Sequence, residues 1–365
     1  MKKDEFIKQL SKLVAFQTLT GNVGENSKAL DYVESLISKA AFTKRVKNGA
    51  AEIFLAGNSN TPSPDVGYLV HIDIVAGKPE QFTLKQNGDK LSGRGSSDMK
   101  FSIPMGIALL NELISNGSKL KFTLAITTDE ETGGDMGASF LVEKLKFRPK
   151  FLIVPDGGDN LSFVNKSKGV CWLSVKSKGT PAHASRPWKG KNALVPLVIL
   201  AKKLTDIYGV NSLKENWDTT MNIGQIQGGI STNQVCPEAI MKLDFRFPEG
   251  NSAQKITNQV KNLAVKIDPE LKVVVDSTTL PTFTDTKLPV VKSFIGSMEK
   301  VYGKKLKIAP AYGASDASNF GGLNIPVLMM KPMGGEIHSD NEWISLESCL
   351  KFHEGLKLFI AQFDK

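Results

Sequence analysis

Arginine, histidine and cysteine are all scarce in this chain of 365 residues, with five, four and three of each. Cys171, Cys236 and Cys349 are far apart and odd in number, with no CxxC pair. A disulfide framework and a thiolate zinc site are therefore excluded, and buried free thiols are expected. Long apolar runs are missing too. The longest, residues 193–201, contains Pro196, whereas a membrane span needs ~20 apolar residues. The N-terminal MKKDEFIKQL has charges but no apolar core of signal-peptide length, so a cytoplasmic location and no membrane partner are expected. Hydrophobic residues at 41% and charged residues at 23% exclude wholesale disorder, collagen and coiled coil. A net charge of +9 raises nucleic acid as a partner. The lysines are spread along the chain without interleaved aromatics, however, and arginine, the usual base-reading residue, is one of the scarce types. The expected outcome is a solvated lysine-rich surface and no nucleic-acid partner.

The length suits two domains. Helical apolar spacing occurs at 4–16, 25–41, 99–113 and 136–145, and strand-like runs at 51–55, 66–70, 121–127 and 151–154. This alternation predicts an α/β domain with a mostly parallel sheet flanked by helices. The pattern then changes. Strands are expected at 169–177, 219–226, 239–247 and 271–276, and helices at 191–204 and 252–267. They predict an inserted α+β domain, an antiparallel sheet with two helices on one side. Segments 289–301, 326–330 and 346–363 return to the first domain.

Three of the four histidines lie in polar, Gly-rich surroundings near acids: His71 in LVHIDIVAG, His183 in GTPAHASRP and His338 in GGEIHSDNEW. His353, in a helical stretch, reads as structural or surface. Asp98 lies in GRGSSDMK, Glu130 and Glu131 in TTDEETGG, and Asp156 in VPDGGD. His71, the Glu pair, Asp156 and His338 all follow predicted buried strands. In open α/β sheets that edge is where ligands bind. Two His and several carboxylates suit a divalent metal such as zinc. Five candidate ligands exceed one tetrahedral site and suit two metals ~3.5–4 Å apart that share a carboxylate. Adjacent Glu130 and Glu131 point to opposite sides in extended backbone, so one can bind metal while the other serves as general base. Asp73, two residues beyond His71, is placed to accept the other ring N–H.

The ordered motifs HIDIV, GRGSSDMK, DEETGG, VPDGG, GTPAHAS and IHSDNEW resemble those of the co-catalytic zinc amidohydrolases. That family includes aminoacylase, acetylornithine deacetylase, succinyl-diaminopimelate desuccinylase, glutamate carboxypeptidase and bacterial dipeptidases. The resemblance runs from about residue 5 to residue 363. It implies two divalent metal ions, zinc first with cobalt or manganese as alternatives. His71 and Asp156 would hold one, His338 and Glu131 the other, and Asp98 would bridge them. Glu130 would be the general acid/base and Asp73 would orient His71. Residues 1–166 and 281–365 would form the catalytic domain. Residues 167–280 would form a lid through which the protein homodimerises. His183, in that lid, would reach the partner's active site. Asn233, Arg246 and Gly313 would contact the substrate carboxylate. The implied reaction is hydrolysis of an amide or peptide bond in a small substrate with a free carboxylate, as in a carboxypeptidase or dipeptidase. The alternative is an N-acyl amino acid deacylase such as a desuccinylase or acetylornithine deacetylase. Asp156 stands where those branches usually carry Glu, and Ala314 where the desuccinylase loop usually carries Thr. Both departures favour the peptidase reading. A non-catalytic metal-stabilised binding protein is the remaining class, and the presence of Glu130 argues against it.

Overall fold

The computed structural model describes residues 1–364. These fall into two compact units: 1–166 with 283–311 and 315–364, and 167–282 with 312–314. In the first unit the chain begins with helices α1 (Lys3–Ala15) and α2 (Val23–Ser35). Phe6, Leu10, Leu13 and Val14 recur at helical spacing, and all are buried. The Asn22 side chain caps α2 by accepting the Glu25 N–H. That helix is shorter than its apolar spacing suggests. It gives way to strand β1 (Phe42–Asn48), which carries Lys44, Arg45 and Lys47 and forms one edge of the sheet. Charges on an edge strand deter pairing with other chains, and they also hide it from a search for apolar runs.

Next come β2 (Ala51–Gly57), β3 (Val66–His71), α3 (Ser102–Ser115), β4 (Phe122–Thr127), α4 (Ala138–Glu143), β5 (Phe151–Val154) and β6 (Ser162–Ser167). In the second unit lie β7 (Gly169–Lys178), α5 (Leu194–Tyr208), β8 (Thr220–Gly228), β9 (Glu238–Phe247), α6 (Ala253–Ile267) and β10 (Lys272–Thr279). The first unit is completed by α7 (Pro289–Tyr302), β11 (Lys307–Ala311), β12 (Val327–Met329) and α8 (Leu346–Ile360).

The large sheet runs β1-β2-β4-β3-β5-β12-β6. Its four central strands, β4, β3, β5 and β12, are mutually parallel, and β1, β2 and β6 pair antiparallel at the margins. The sheet is therefore mixed, with the expected parallel arrangement at its centre. Successive side chains of β3 serve opposite cores: Tyr68 and Val70 join one cluster and Leu69 the other. Strands covered on both faces must be apolar throughout, which is why VGYLV and FTLAI are legible as sheet interior.

The second unit is an antiparallel sheet, β8-β9-β7-β10. Alternate residues Cys171, Leu173 and Val175 of β7 pack with Leu197, Leu200 and Leu204 of α5 and with Ile256, Val260 and Ala264 of α6. Both helices thus serve one face of the sheet, the α+β arrangement expected. The three cysteines are free and buried. Among the described residues, no helix is long and apolar enough to cross a membrane.

His353 lies on the buried side of α8, and neither ring nitrogen has a hydrogen-bond partner among the described residues. Burial, followed by the N-terminal ammonium and Lys357, pushes its pKa down from 6.5 to about 3. The folded state therefore holds fewer protons than the unfolded state between these values. The stabilisation from neutral His353 is complete above the unfolded pKa and is lost as pH falls through the window. Wild-type protein should lose about 2 kcal/mol more than His353→Leu between pH 7 and pH 5, read from denaturant titrations of both. Parallel losses would show that His353 is not buried in its neutral form.

Candidate metal centre

Parallel strands deliver their C-terminal ends to one edge of the sheet. His71 closes β3 and pairs in register with Thr127, the last residue of β4. Three residues on, Glu130 and Glu131 occupy a single 3-10 turn rather than the extended backbone expected. Gly133 and Gly134 close that turn with φ of 112° and 69°, a backbone region that favours glycine. Asp156 follows β5. Asp98 precedes α3, and its peptide bond to Met99 is cis. His338 lies beyond β12 with a φ of 62°.

These elements converge on Asp98. Its Oδ1 lies 3.2 Å from His71 Nε2, and its Oδ2 lies 3.2 Å from His338 Nε2. His338 Nε2 is also 3.0 Å from Glu131 Oε2. Asp98, Glu131 and His338 form a three-residue group whose ligand atoms lie within 4.8 Å of one another. Glu130 Oε2 is on the other side, 3.8 Å from His71 Nε2. Asp156 accepts the N–H of Gly157 and is coupled to Asp98 and His71 by charge.

Burial opposes ionisation of Asp98, but the hydrogen bonds from His338 and His71 outweigh it and hold the acid well below the usual carboxylate range. Hydrogen bonds to Asp98 and Glu131 raise His338 to about 10. Burial, then the charge of Asp98, pushes Asp156 up to about 6. Glu130 is raised well above its ordinary value by burial and by Asp156, Asp316 and Asp98, against the lowering effect of His71. This crowd of carboxylates needs positive charge. Two imidazoles and the carboxylates of Asp98, Glu131 and Asp156 offer the nitrogen and oxygen donors that divalent cations take, so the residues present fit a metal centre.

Asp73 does more than the sequence suggests. The His71 Nδ1–H is met at 3.0 Å by the backbone carbonyl of Asp73, while the carboxylate Oδ1 lies farther off at 3.5 Å. A carbonyl only accepts, so this contact fixes the proton on Nδ1 and leaves Nε2 facing Asp98. The carboxylate itself accepts the N–H groups of Glu130 at 3.3 Å and Glu131 at 3.2 Å.

Arg94 and Glu342 lie inside the quoted motifs but escape a search for ligands. Glu342 is buried and accepts from Arg94 Nη1 at 2.8 Å, Gly95 N at 3.0 Å, Ser97 N at 2.9 Å and Asp98 N at 3.2 Å. It thereby shapes the loop that presents Asp98. A usable signal was the arginine inside a Gly-rich turn of a chain with so few arginines.

His183, Asn233, Arg246 and Gly313 all belong to the second unit. A bridge pairs His183 with Gln234, and Ala184 N donates to Asn233 O at 2.8 Å, so the GTPAHAS and STNQ loops run side by side. His183 Nδ1 lies 2.8 Å from the Ser185 hydroxyl. Arg246, on β9, holds Asp244 two residues back on the same strand through Nε at 2.8 Å and Nη2 at 2.9 Å. Tyr312, next to Gly313, donates its hydroxyl to Glu215 at 2.9 Å and stacks edge-on against Trp217.

The model of peptidase family M20/M25/M40 matches residues 67–362. A probable carboxypeptidase of Arthroderma benhamiae is 26% identical over 235 residues, 60% of this chain and 51% of that protein. The chain thus spans about half the length of that fungal relative. A succinyl-diaminopimelate desuccinylase of Sulfurovum sp. is 26% identical over 375 residues, 97% of this chain and 98% of that protein. Among solved structures, an M20 family metallo-carboxypeptidase from Sulfolobus solfataricus shares the fold with a TM-score of 0.83 at 19% identity, covering 98% of each chain. A dipeptidase from Saccharomyces cerevisiae aligns with a TM-score of 0.76 at 13% identity, over 99% of this chain and 96% of that one.

Removing one partner of a buried pair leaves an uncompensated charge and typically costs about 3–5 kcal/mol. Glu342→Ala should lose that much stability in urea titration and should also take up less metal. Wild-type stability in the variant would show that Arg94 and the loop amides do not depend on Glu342.

Proposed function

We propose, since this chain belongs to peptidase family M20/M25/M40, that it is a two-metal hydrolase of an amide or peptide bond in a small substrate bearing a free carboxylate, as a carboxypeptidase or dipeptidase is. The observation that carries this reading is Asp98, with one oxygen toward each imidazole. In this assignment Asp98, His71 and Asp156 would hold one divalent ion, and Asp98, Glu131 and His338 would hold the other. Nitrogen and oxygen donors suit zinc best, with cobalt or manganese as alternatives. When bound, such ions supply Lewis acidity and lower the pKa of water from 15.7 towards ~7.

The chain's own groups do the rest. Glu130 takes a proton from the attacking water and returns it to the leaving amine. Asp73 keeps the His71 ring in one tautomer through its carbonyl and holds the two glutamates apart through its carboxylate. His183 donates to the oxyanion that develops on the substrate carbonyl. Asn233, Arg246 and Gly313 grip the substrate carboxylate. Asp244 already occupies the Nε edge of Arg246, which leaves Nη1 for the substrate.

Residues 167–280 act as a lid on the catalytic domain formed by 1–166 and 281–365, and the lid mediates a homodimer. Val195, Val198 and Ile199 support this, because they are 52%, 57% and 44% exposed along α5, and a monomer gains little from apolar side chains held in water. Catalysis takes place in the cytoplasm. A second reading, an N-acyl amino acid deacylase, draws support from the desuccinylase that matches nearly the whole chain. Product analysis on dipeptides against N-acetyl and N-succinyl amino acids separates the two.

Glu130→Gln should retain about two metals per chain and the fold but lose ~10²–10⁴-fold in turnover. Glu131→Gln should instead lose metal. Near-wild-type turnover in Glu130→Gln, or no uptake of metal by folded wild-type protein, would overturn the assignment. If His183 serves the partner's site, His183→Ala and Glu130→Gln should each be nearly inactive, and hybrids of the two should regain part of the activity. Hybrids shown to form without any recovery would count against action in trans.

A further inference from the structure

Residues 1–66 precede the segment matched by the family model, yet the structure laces them to the candidate site. Lys100, buried two positions beyond Asp98, donates to the carbonyls of Leu13 at 3.0 Å and Phe16 at 2.8 Å, at the end of α1. The chain that follows lies against the segment after β3. The Thr18 hydroxyl donates to Ile72 O at 2.6 Å, Ile74 N donates to Thr18 O at 3.0 Å, and Leu19 bridges Ile74. Held in this way, Thr20 places its hydroxyl 2.6 Å from Asp73 Oδ2.

We propose that Thr20 is a positioning residue for Glu130 and Glu131, acting through Asp73; the proposal rests on the two-metal reading above. Asp73 is wholly buried. The torsion that turns its carboxylate plane is soft, because sp³–sp² torsions have broad minima. Of the carboxylate's hydrogen bonds, that from Thr20 is the shortest, against 3.2 Å and 3.3 Å for the two glutamate amides. Short O–H···O⁻ contacts are the stronger class, so the Thr20 hydroxyl fixes the plane. With the plane fixed, Oδ1 meets the Glu130 amide and Oδ2 meets the Glu131 amide. One glutamate side chain is thereby held toward His71 and its neighbour toward His338. Without the hydroxyl the carboxylate can turn, both amides lose a fixed acceptor, and the turn carrying a ligand and a base loosens.

The test compares Thr20→Val, Thr20→Ser and Thr18→Val with wild type by two readouts. One is hydrogen–deuterium exchange of residues 129–133 in metal-free protein. The other is zinc affinity by competition with a chromogenic chelator. Thr20→Val should exchange faster in that segment and bind zinc about tenfold or more weakly, the range typical of groups that orient metal ligands. Thr20→Ser, which keeps the hydroxyl, should restore both. Thr18→Val loosens the same segment without touching the carboxylate. It should lower the melting temperature and weaken zinc binding by less than Thr20→Val does, because Ile74 N still donates to the Thr18 carbonyl and keeps Thr20 near Asp73. Unchanged exchange in Thr20→Val would overturn the proposal. So would faster exchange with unchanged zinc affinity, or an equal loss of zinc affinity in Thr18→Val. The wild-type zinc titration separately tests the metal reading, and the metal-free exchange arm decides the role of Thr20 whatever that titration shows.

Discussion

One carboxylate organises the first unit. Asp98 faces two imidazoles, one with each oxygen, both at 3.2 Å. A carboxylate can do this only if its plane and position are both set, because its two lone-pair directions diverge from a rigid group. Glu342 sets the position. It gathers the backbone amides of Gly95, Ser97 and Asp98 and is balanced by Arg94. The imidazoles set the plane, and they are fixed in turn by β3 on one side and by the left-handed backbone of His338 on the other.

The same device recurs behind the glutamates. Buried acids that accept backbone N–H groups act as struts: Asp73 for Glu130 and Glu131, and Asp129 for Met136 and Gly137. A backbone amide cannot swing away as a side chain can, so a carboxylate anchored to amides holds its loop tightly. The cost is an accumulation of buried negative charge. Burial, together with neighbouring acids, raises Asp129 and Asp156 to about 6 each. Such a crowd is unfavourable without cations, and that electrostatic demand accompanies the gathering of Asp98, Glu131 and His338 into one possible metal-binding group.

The second unit follows a different economy. Its core residues Cys171, Leu173, Val175, Met241, Leu243 and Phe245 occupy alternate positions of β7 and β9, so one face of its sheet is covered by α5 and α6 while the other carries polar groups such as Lys176, Lys242 and Arg246. Its candidate functional groups sit on loops and on that polar face rather than in a buried cluster. Cross-strand pairing, such as His183 with Gln234, determines their spacing.

The sequence by itself determined the fold class. Apolar runs buried on both faces separate the interior strands of the first unit from the alternating strands of the second, and helical spacing marks most helices. It also singled out His71, Glu130, Glu131, Asp156 and His338, because polar residues just past buried strands have few structural reasons to be there, and Asp98, in a Gly-rich turn before an apolar helix. It did not reveal β1, whose charges suit a sheet edge, nor the early stop of α2. Only the tertiary structure decided the pairings. Asp98 and His338 are 240 residues apart in the chain, and no local pattern encodes which oxygen meets which ring. The roles of Arg94, Glu342 and Thr20 were beyond local reading for the same reason. Each acts through a hydrogen bond to a distant segment, and such a bond exists only once the sheet has brought those segments together.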